Sequence, residues 1–155
     1  MTDKPKFDLL AANKYFSAHC FNHAWDFIDK PVRSSDEDNT MLQLSFASLW
    51  HWTQRPDCTP TNLSVGYWQV SRVYALLNQA DNARLYGQLC LESASKEGVE
   101  PYYKGAAYET LARAELIAGN KSAMQEYLAQ ANHIAGSLAD KEEKEMLLKD
   151  LATIH

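Results

Sequence analysis

Two histidines four residues apart are the first place where this sequence could do chemistry. His19 and His23 lie in "YFSAHCFNHAWDF", and His51 follows in a second aromatic stretch, "LWHW". Imidazoles at positions i and i+4 of a helix lie on one face and can bind zinc together. The other interpretation is that these histidines are the polar members of a packed helix interface.

The residues that a metal enzyme needs beside such a pair are missing. In "HCFNH", Cys20 stands where the zinc-protease motif H-E-x-x-H has its catalytic glutamate. No E-x-x-H sequence occurs, which disfavours a di-iron bundle. We therefore expect no metal, no cofactor and no catalytic residue, with His19 and His23 hydrogen-bonded in a half-buried interface. The alternative is a small-molecule or metal-dependent enzyme that uses His19, His23 and His51.

Composition and charge argue against several other classes of protein. The chain has 155 residues, 46% of them apolar, and we expect one domain over residues 1–155. A net charge of −5 without a basic run argues against nucleic acid or anionic membrane as partners. No apolar run approaches the roughly 20 residues of a membrane span, and the N-terminus lacks the apolar region of a signal peptide. We expect a cytoplasmic protein with reduced cysteines.

Short breakers divide the chain into helices, and no alternating stretch indicates a strand. The pattern predicts an all-α fold with seven helices, at about 7–29, 38–54, 62–78, 82–97, 102–118, 121–136 and 140–153. The expected N-terminal signals are Ser34 or Ser35, Asp81 and Asp140 as caps and Pro101 in a first turn. Loops this short favour antiparallel neighbours.

The first predicted helix is apolar on two faces, which suggests packing on both sides. One row comprises Phe7, Ala11, Tyr15, Ala18, Phe21, Trp25 and Ile28. The second row comprises Ala12, Phe16, His19, His23 and Phe27. The histidines are thus expected inside an apolar face.

Two stretches repeat the same pattern at an offset of 40 residues. "YALLNQADNA", from residue 74, and "AELIAGNKSA", from residue 114, each pass from a helix through a polar turn to an alanine. Here the chain resembles the tetratricopeptide repeat, a pair of antiparallel helices. The residues that carry the resemblance are Tyr67, Val70, Ser71, Tyr74 and Ala83. Gly87 departs from the family's aromatic position, and the period exceeds the family's roughly 34 residues. "GYWQVSRVYALL" and "AYETLARAELIAGN" are also similar to a group of small bacterial proteins.

The resemblance implies a right-handed stack of antiparallel helix pairs, a tetratricopeptide-like superhelix. Its units would span about 62–97 and 102–136, with residues 140–153 as a capping helix. It further implies a non-catalytic module that binds a protein or peptide in a concave groove; a homo-oligomer is a further alternative. The expected partner-binding residues are His19, His23, His51, Trp68, Arg72, Glu109 and Arg113.

The polar residues of this set also have a purely structural interpretation. Arg72 follows Trp68 by four residues, so its guanidinium can lie over the indole. Glu109 and Arg113 are four apart and can form an ion pair along one helix. In the structural interpretation, Trp68 belongs to the core and the Glu109–Arg113 pair to a solvated helix face.

Overall fold

A computed structural model describes residues 6–155 of the chain. Over these residues the chain forms seven α-helices and no strand, which confirms the predicted all-α fold. The helices are α1 (Leu9–Ile28), α2 (Ser35–Thr53), α3 (Pro60–Leu76), α4 (Ala80–Ala94), α5 (Pro101–Ala118), α6 (Lys121–Ser137) and α7 (Lys141–Leu151). None of these seven helices combines the length and apolarity that crossing a membrane requires.

Three of the four predicted helix-start signals are confirmed, those of α2, α5 and α7. At α2, Ser34 and Glu37 form a capping box: the Glu37 N–H donates to the Ser34 hydroxyl, and the Glu37 carboxylate accepts from the Ser34 N–H at 2.8 Å. Asp140 caps α7 by accepting from the Glu143 N–H at 2.9 Å. The prediction for Asp81 is wrong. This residue lies in the first turn of α4, where its carboxylate pairs with a side chain one turn further on.

The chain divides into two compact units, which are described in turn: an N-terminal unit, Met1–Thr59, and a C-terminal unit, Pro60–His155. In the N-terminal unit, α1 packs against α2. The Ser48 hydroxyl of α2 donates to the Ser17 carbonyl of α1 at 2.7 Å, and the Arg55 guanidinium donates to the Ser17 hydroxyl at 3.0 Å. Small side chains at this contact let the two helices approach closely.

The buried face of α1 coincides with neither predicted row, since only Ile28 of its residues belongs to one of them. Its buried residues are Ser17, Cys20, Ala24 and Ile28. At 100° per residue, this face lies between the two apolar rows of the sequence pattern. Two aromatic side chains assigned to those rows are consequently exposed, Tyr15 by 59% and Phe16 by 42%. The expectation that both rows pack was therefore wrong for these two residues.

In the C-terminal unit, α5 is the central helix, since it contacts α3, α4, α6 and α7. Helix α3 pairs with α4 and α5 with α6, through loops of three and two residues, so each pair runs antiparallel. The second loop turns at Gly119, whose φ of 73° is the left-handed conformation that glycine adopts at no steric cost. Helix α7 closes the end of the unit. It buries Leu147 and Leu151, followed by Ile154 beyond its last turn.

Ser71 and Ala83 mark a close contact of α3 with α4. The Ser71 hydroxyl donates to the Ala83 carbonyl at 2.7 Å and accepts from the Thr110 hydroxyl of α5 at 2.9 Å. Ala83 is fully buried against Ala75 and Ala114. Only a small side chain fits at this point.

Replacing Ala83 by leucine is therefore expected to lower the free energy of unfolding by about 1–3 kcal/mol, because three extra carbon atoms must enter a filled core. Urea denaturation followed by circular dichroism measures this change. The exposed residue Ala129 of α6 provides the control, since Ala129→Leu adds the same atoms where there is space. Equal stability of the two variants would contradict the close contact.

The three cysteines are free thiols. Cys20 is buried in the N-terminal unit and Cys90 in the C-terminal unit, whereas Cys58 is partly exposed. Burial raises the pKa of the Cys20 thiol. Burial also raises the pKa of the Cys90 thiol, to about 12. The reactive thiolate form is thus rare at both buried positions near neutral pH.

Candidate functional site

The residues expected to bind a partner fall into two groups, one in each compact unit. His19, His23 and His51 belong to the N-terminal unit. Trp68, Arg72, Glu109 and Arg113 belong to the C-terminal unit. Each group is built by its own helices, and the single groove shared by both stays a prediction.

The N-terminal group contains a column of neighbouring rings along α1, which we call the aromatic column: Tyr15, His19, His23 and Phe27. Tyr15 and His19 stack with ring centroids 5.0 Å apart and planes 13° from parallel. The next centroid distances are 5.7 Å from His19 to His23 and 5.6 Å from His23 to Phe27. The column arises because these residues follow one another at i, i+4, which places each ring one turn beyond the last.

Solvent reaches this column. His19 is exposed, and 43% of the His23 side chain is exposed. The half-buried interface expected for His19 is therefore wrong, because the face of α1 that meets α2 lies further around the helix. The polar contacts are weak: the Tyr15 hydroxyl lies 3.5 Å from His19 Nδ1, and the Asp26 carboxylate lies 3.9 Å from His23 Nε2.

His51 joins the edge of this surface from α2. Its Nδ1 atom lies 2.8 Å from the side-chain oxygen of Asn13, and its ring stacks on Phe16 at 5.3 Å. Phe16 in turn meets Tyr15 edge-to-face at 5.1 Å. Between residues 6 and 155, no three His, Cys, Asp or Glu side chains are grouped so that they could hold a metal ion. The three histidines thus form part of an aromatic surface rather than a common ligand set.

The C-terminal group is organised around a buried carboxylate. Glu109 of α5 is only 1% exposed. One of its oxygens accepts from the Trp68 indole N–H at 3.2 Å, and the other accepts from Arg72 Nη1 at 3.2 Å and Arg113 Nε at 2.8 Å. A buried carboxylate is tolerated when several charge-assisted hydrogen bonds replace its water shell. We call these four residues the Glu109 cluster.

The Glu109 cluster joins three helices. Trp68 and Arg72 belong to α3. Arg113 of α5 also donates to the Thr153 hydroxyl at 2.8 Å and to the Asp150 carbonyl at 3.2 Å, at the end of α7. Burial is the main cause that raises the pKa of the Asp150 carboxyl, and the negative charge of Glu109 is the second. The cluster therefore fastens the last helix to the centre of the unit.

The interpretation of Glu109 and Arg113 as a pair on a solvated helix face is wrong. The Arg72 and Arg113 side chains are 18% and 13% exposed, and Glu109 itself offers almost no surface to a partner. Sequence spacing identified the Glu109–Arg113 pair but gave no sign of its burial, because burial depends on α3 and α7. The geometry indicates a structural role for Glu109.

The C-terminal unit contains a second buried ion pair, which the sequence pattern did not predict. Glu115 of α5 has a side chain 4% exposed, and Arg84 of α4 donates to both of its oxygens, at 2.5 and 3.1 Å. Arg84 also pairs with Asp81 at 2.8 Å. Hydrogen bonding to Glu115 is the main cause that raises the pKa of Arg84. No local pattern predicts this pair, since 31 residues separate its partners.

Tyr15, Phe16 and Phe27 were also missed as surface residues. Their apolar character suggested core positions, whereas Tyr15 and Phe16 are exposed and Phe27 is partly exposed. The tetratricopeptide resemblance and its concave groove remain predictions from the sequence. Comparisons with protein-family models, curated proteins and solved structures find no match to this chain.

Proposed function

We propose that this protein is a non-catalytic helical module that binds a peptide or protein segment in the cytoplasm, and that the aromatic column of α1 makes the main contact. The observation that carries the proposal is a continuous set of rings at the surface, of which Tyr15, Phe16 and His19 are exposed and the others are partly exposed. The four rings of the column stand one above another, and Phe16 and His51 extend them sideways.

Contiguity distinguishes this surface from ordinary exposed apolar residues. Single exposed apolar side chains are normal on soluble proteins, but contiguous apolar patches mark interaction sites. Aromatic side chains are enriched in protein interfaces and at the positions that dominate binding energy. The rings are also held in place by their neighbours, so a partner would restrict few rotamers on binding.

The chemistry of the column indicates what it would accept. Ring faces favour apolar and aromatic side chains, while the imidazole nitrogens and the Tyr15 hydroxyl can exchange hydrogen bonds with a peptide backbone. Lys30 lies over the Phe27 ring at 5.4 Å, at the end of the column. A short peptide with alternating apolar and polar groups matches this arrangement.

Selection from a random-peptide phage library tests the proposal. We expect enriched peptides that bind saturably, and whose addition shifts the amide NMR signals of α1. Tyr15→Ser should weaken the binding by about tenfold or more, since one exposed ring is removed from the contact. Leu85→Ser is the matched control, because Leu85 is similarly exposed, by 54%, but belongs to α4.

Three outcomes would contradict the proposal. Selected peptides could bind the Tyr15→Ser variant as tightly as the wild type, or could shift amide signals only in other helices. A selection that yields no saturable binder would count against it as well. Thermal unfolding of both variants should remain close to that of wild type, because both side chains are exposed.

A further inference from the structure

A cleft in the C-terminal unit shares no lining residue with either group of candidate residues. Residues of α5 and α6 line it, together with the end of α4 and the connection from α4 to α5. Its volume is about 380 Å³, within the usual range of small-molecule sites of about 300–1,000 Å³. The polar side chains that line it include Lys96, Lys104, Gln130 and His133.

The charge of this cleft is opposite to that of the protein. The chain carries 20 acidic residues against 15 Lys and Arg, yet the lining contains two lysines and no acidic residue. Neither Lys96 nor Lys104 pairs with a carboxylate of residues 6–155. This holds although Glu100 precedes Lys104 by four residues, a spacing that commonly forms an ion pair. The lining of the cleft therefore includes two lysines that pair with no carboxylate of residues 6–155.

The remaining lining is apolar and aromatic. Val99 and Pro101 come from the connection and the first turn of α5, Tyr108 from α5 and Ile134 from α6. Tyr108 is held by a stacking contact with Tyr127 at 6.2 Å. A ligand that fills the cleft would thus meet ammonium groups and an apolar surface together.

We infer that this cleft binds a small organic anion, with its carboxylate or phosphate group between Lys96 and Lys104 and its apolar body against Tyr108 and Ile134. An anion bound there would gain charge-assisted hydrogen bonds from the two ammonium groups. The Gln130 amide and the His133 imidazole supply further donors on the α6 side. This site is independent of the aromatic column.

Titration with phenyl phosphate and with benzoate, followed by amide NMR, tests the inference. We expect saturable shifts at the residues of the cleft for both probes. Inorganic phosphate lacks the apolar body and benzyl alcohol lacks the charge, so each should bind about tenfold more weakly or worse. Comparison of the phosphate and the carboxylate probe identifies which anionic group the site prefers.

Lys104→Met removes one charge and keeps an unbranched side chain, and should weaken phenyl phosphate binding by about tenfold. Lys121→Met is the control, because Lys121 is exposed at the other end of α6. If Lys104→Met lowers the melting temperature, Lys96→Met on the connecting segment provides the same test.

Several results would overturn the inference. Equal affinity of Lys104→Met, Lys96→Met and wild type would show that the ammonium groups do not bind the probe. Inorganic phosphate as tight as phenyl phosphate would exclude an organic ligand. Absence of saturable shifts in the cleft with either aromatic anion up to about 10 mM would exclude the site.

Discussion

Glu109→Gln is expected to lower the free energy of unfolding by about 3–5 kcal/mol. The glutamine side chain has nearly the same shape, so the loss comes from charge rather than from volume. Arg72 and Arg113 would remain largely buried without the carboxylate that both of them contact. The amide could also turn an N–H group toward the Trp68 indole N–H, which would leave two donors facing each other.

Urea denaturation followed by circular dichroism and tryptophan fluorescence measures this loss. Glu126→Gln makes the same chemical change at an exposed position of α6, and should alter the free energy of unfolding by no more than about 0.5 kcal/mol. A loss of less than about 1 kcal/mol for Glu109→Gln would show that solvent can replace the carboxylate. The Glu109 cluster would then not be what holds α7 against the rest of the unit.

The second large effect concerns Leu111, which is fully buried and fills the space left by Gly87. A Cβ atom at Gly87 would lie 2.8 Å from Leu111 Cδ2 and 3.1 Å from Leu111 Cγ. Leu111→Ala should cost about 2–5 kcal/mol through the cavity it leaves. Gly87→Ala should cost about 1–2 kcal/mol, because overpacking of about 1–3 kcal/mol exceeds the gain in helix propensity of about 0.5–1 kcal/mol.

Combining Gly87→Ala with Leu111→Ala tests this contact directly, because the effect of Gly87→Ala on the free energy of unfolding should change sign. In the Leu111→Ala protein the clash is gone, and Gly87→Ala should then stabilise by about 0.5–1 kcal/mol. Gly136→Ala is the control for propensity alone, because a Cβ there meets no atom within 4 Å. An increase in stability for Gly87→Ala in the wild-type background would contradict the close contact.

The sequence predicts the seven helices well because their boundaries depend on local chemistry. Ser34 with Glu37, Pro101, and Asp140 with Glu143 act within one turn of the helices they begin. Asp81 is not the cap, because α4 begins at Ala80 with Gln79 as its N-cap, which places Asp81 in the first turn. Its carboxylate pairs with Arg84, which also holds a buried glutamate of α5.

The candidate site was harder to predict because exposure depends on which face of a helix meets its neighbour. The rings of α1 suggested a core, yet the face that meets α2 is built from Ser17, Cys20 and Ala24. Such small residues give weak hydrophobic periodicity, so the strongest apolar signal came from residues that remain exposed. Conversely, Glu109 has the sequence character of a surface residue and is buried by helices distant in the chain.

Each compact unit contains a buried thiol whose chemical modification can report the local unfolding of that unit. Cys20 and Cys90 lie one in each unit, and burial keeps both in the unreactive thiol form. An alkylating reagent can modify them only after the surrounding helices separate, so the labelling rate measures the free energy of local opening. With Cys58 replaced by serine, mass spectrometry of two labelled peptides would compare the cooperativity of the two units within one molecule.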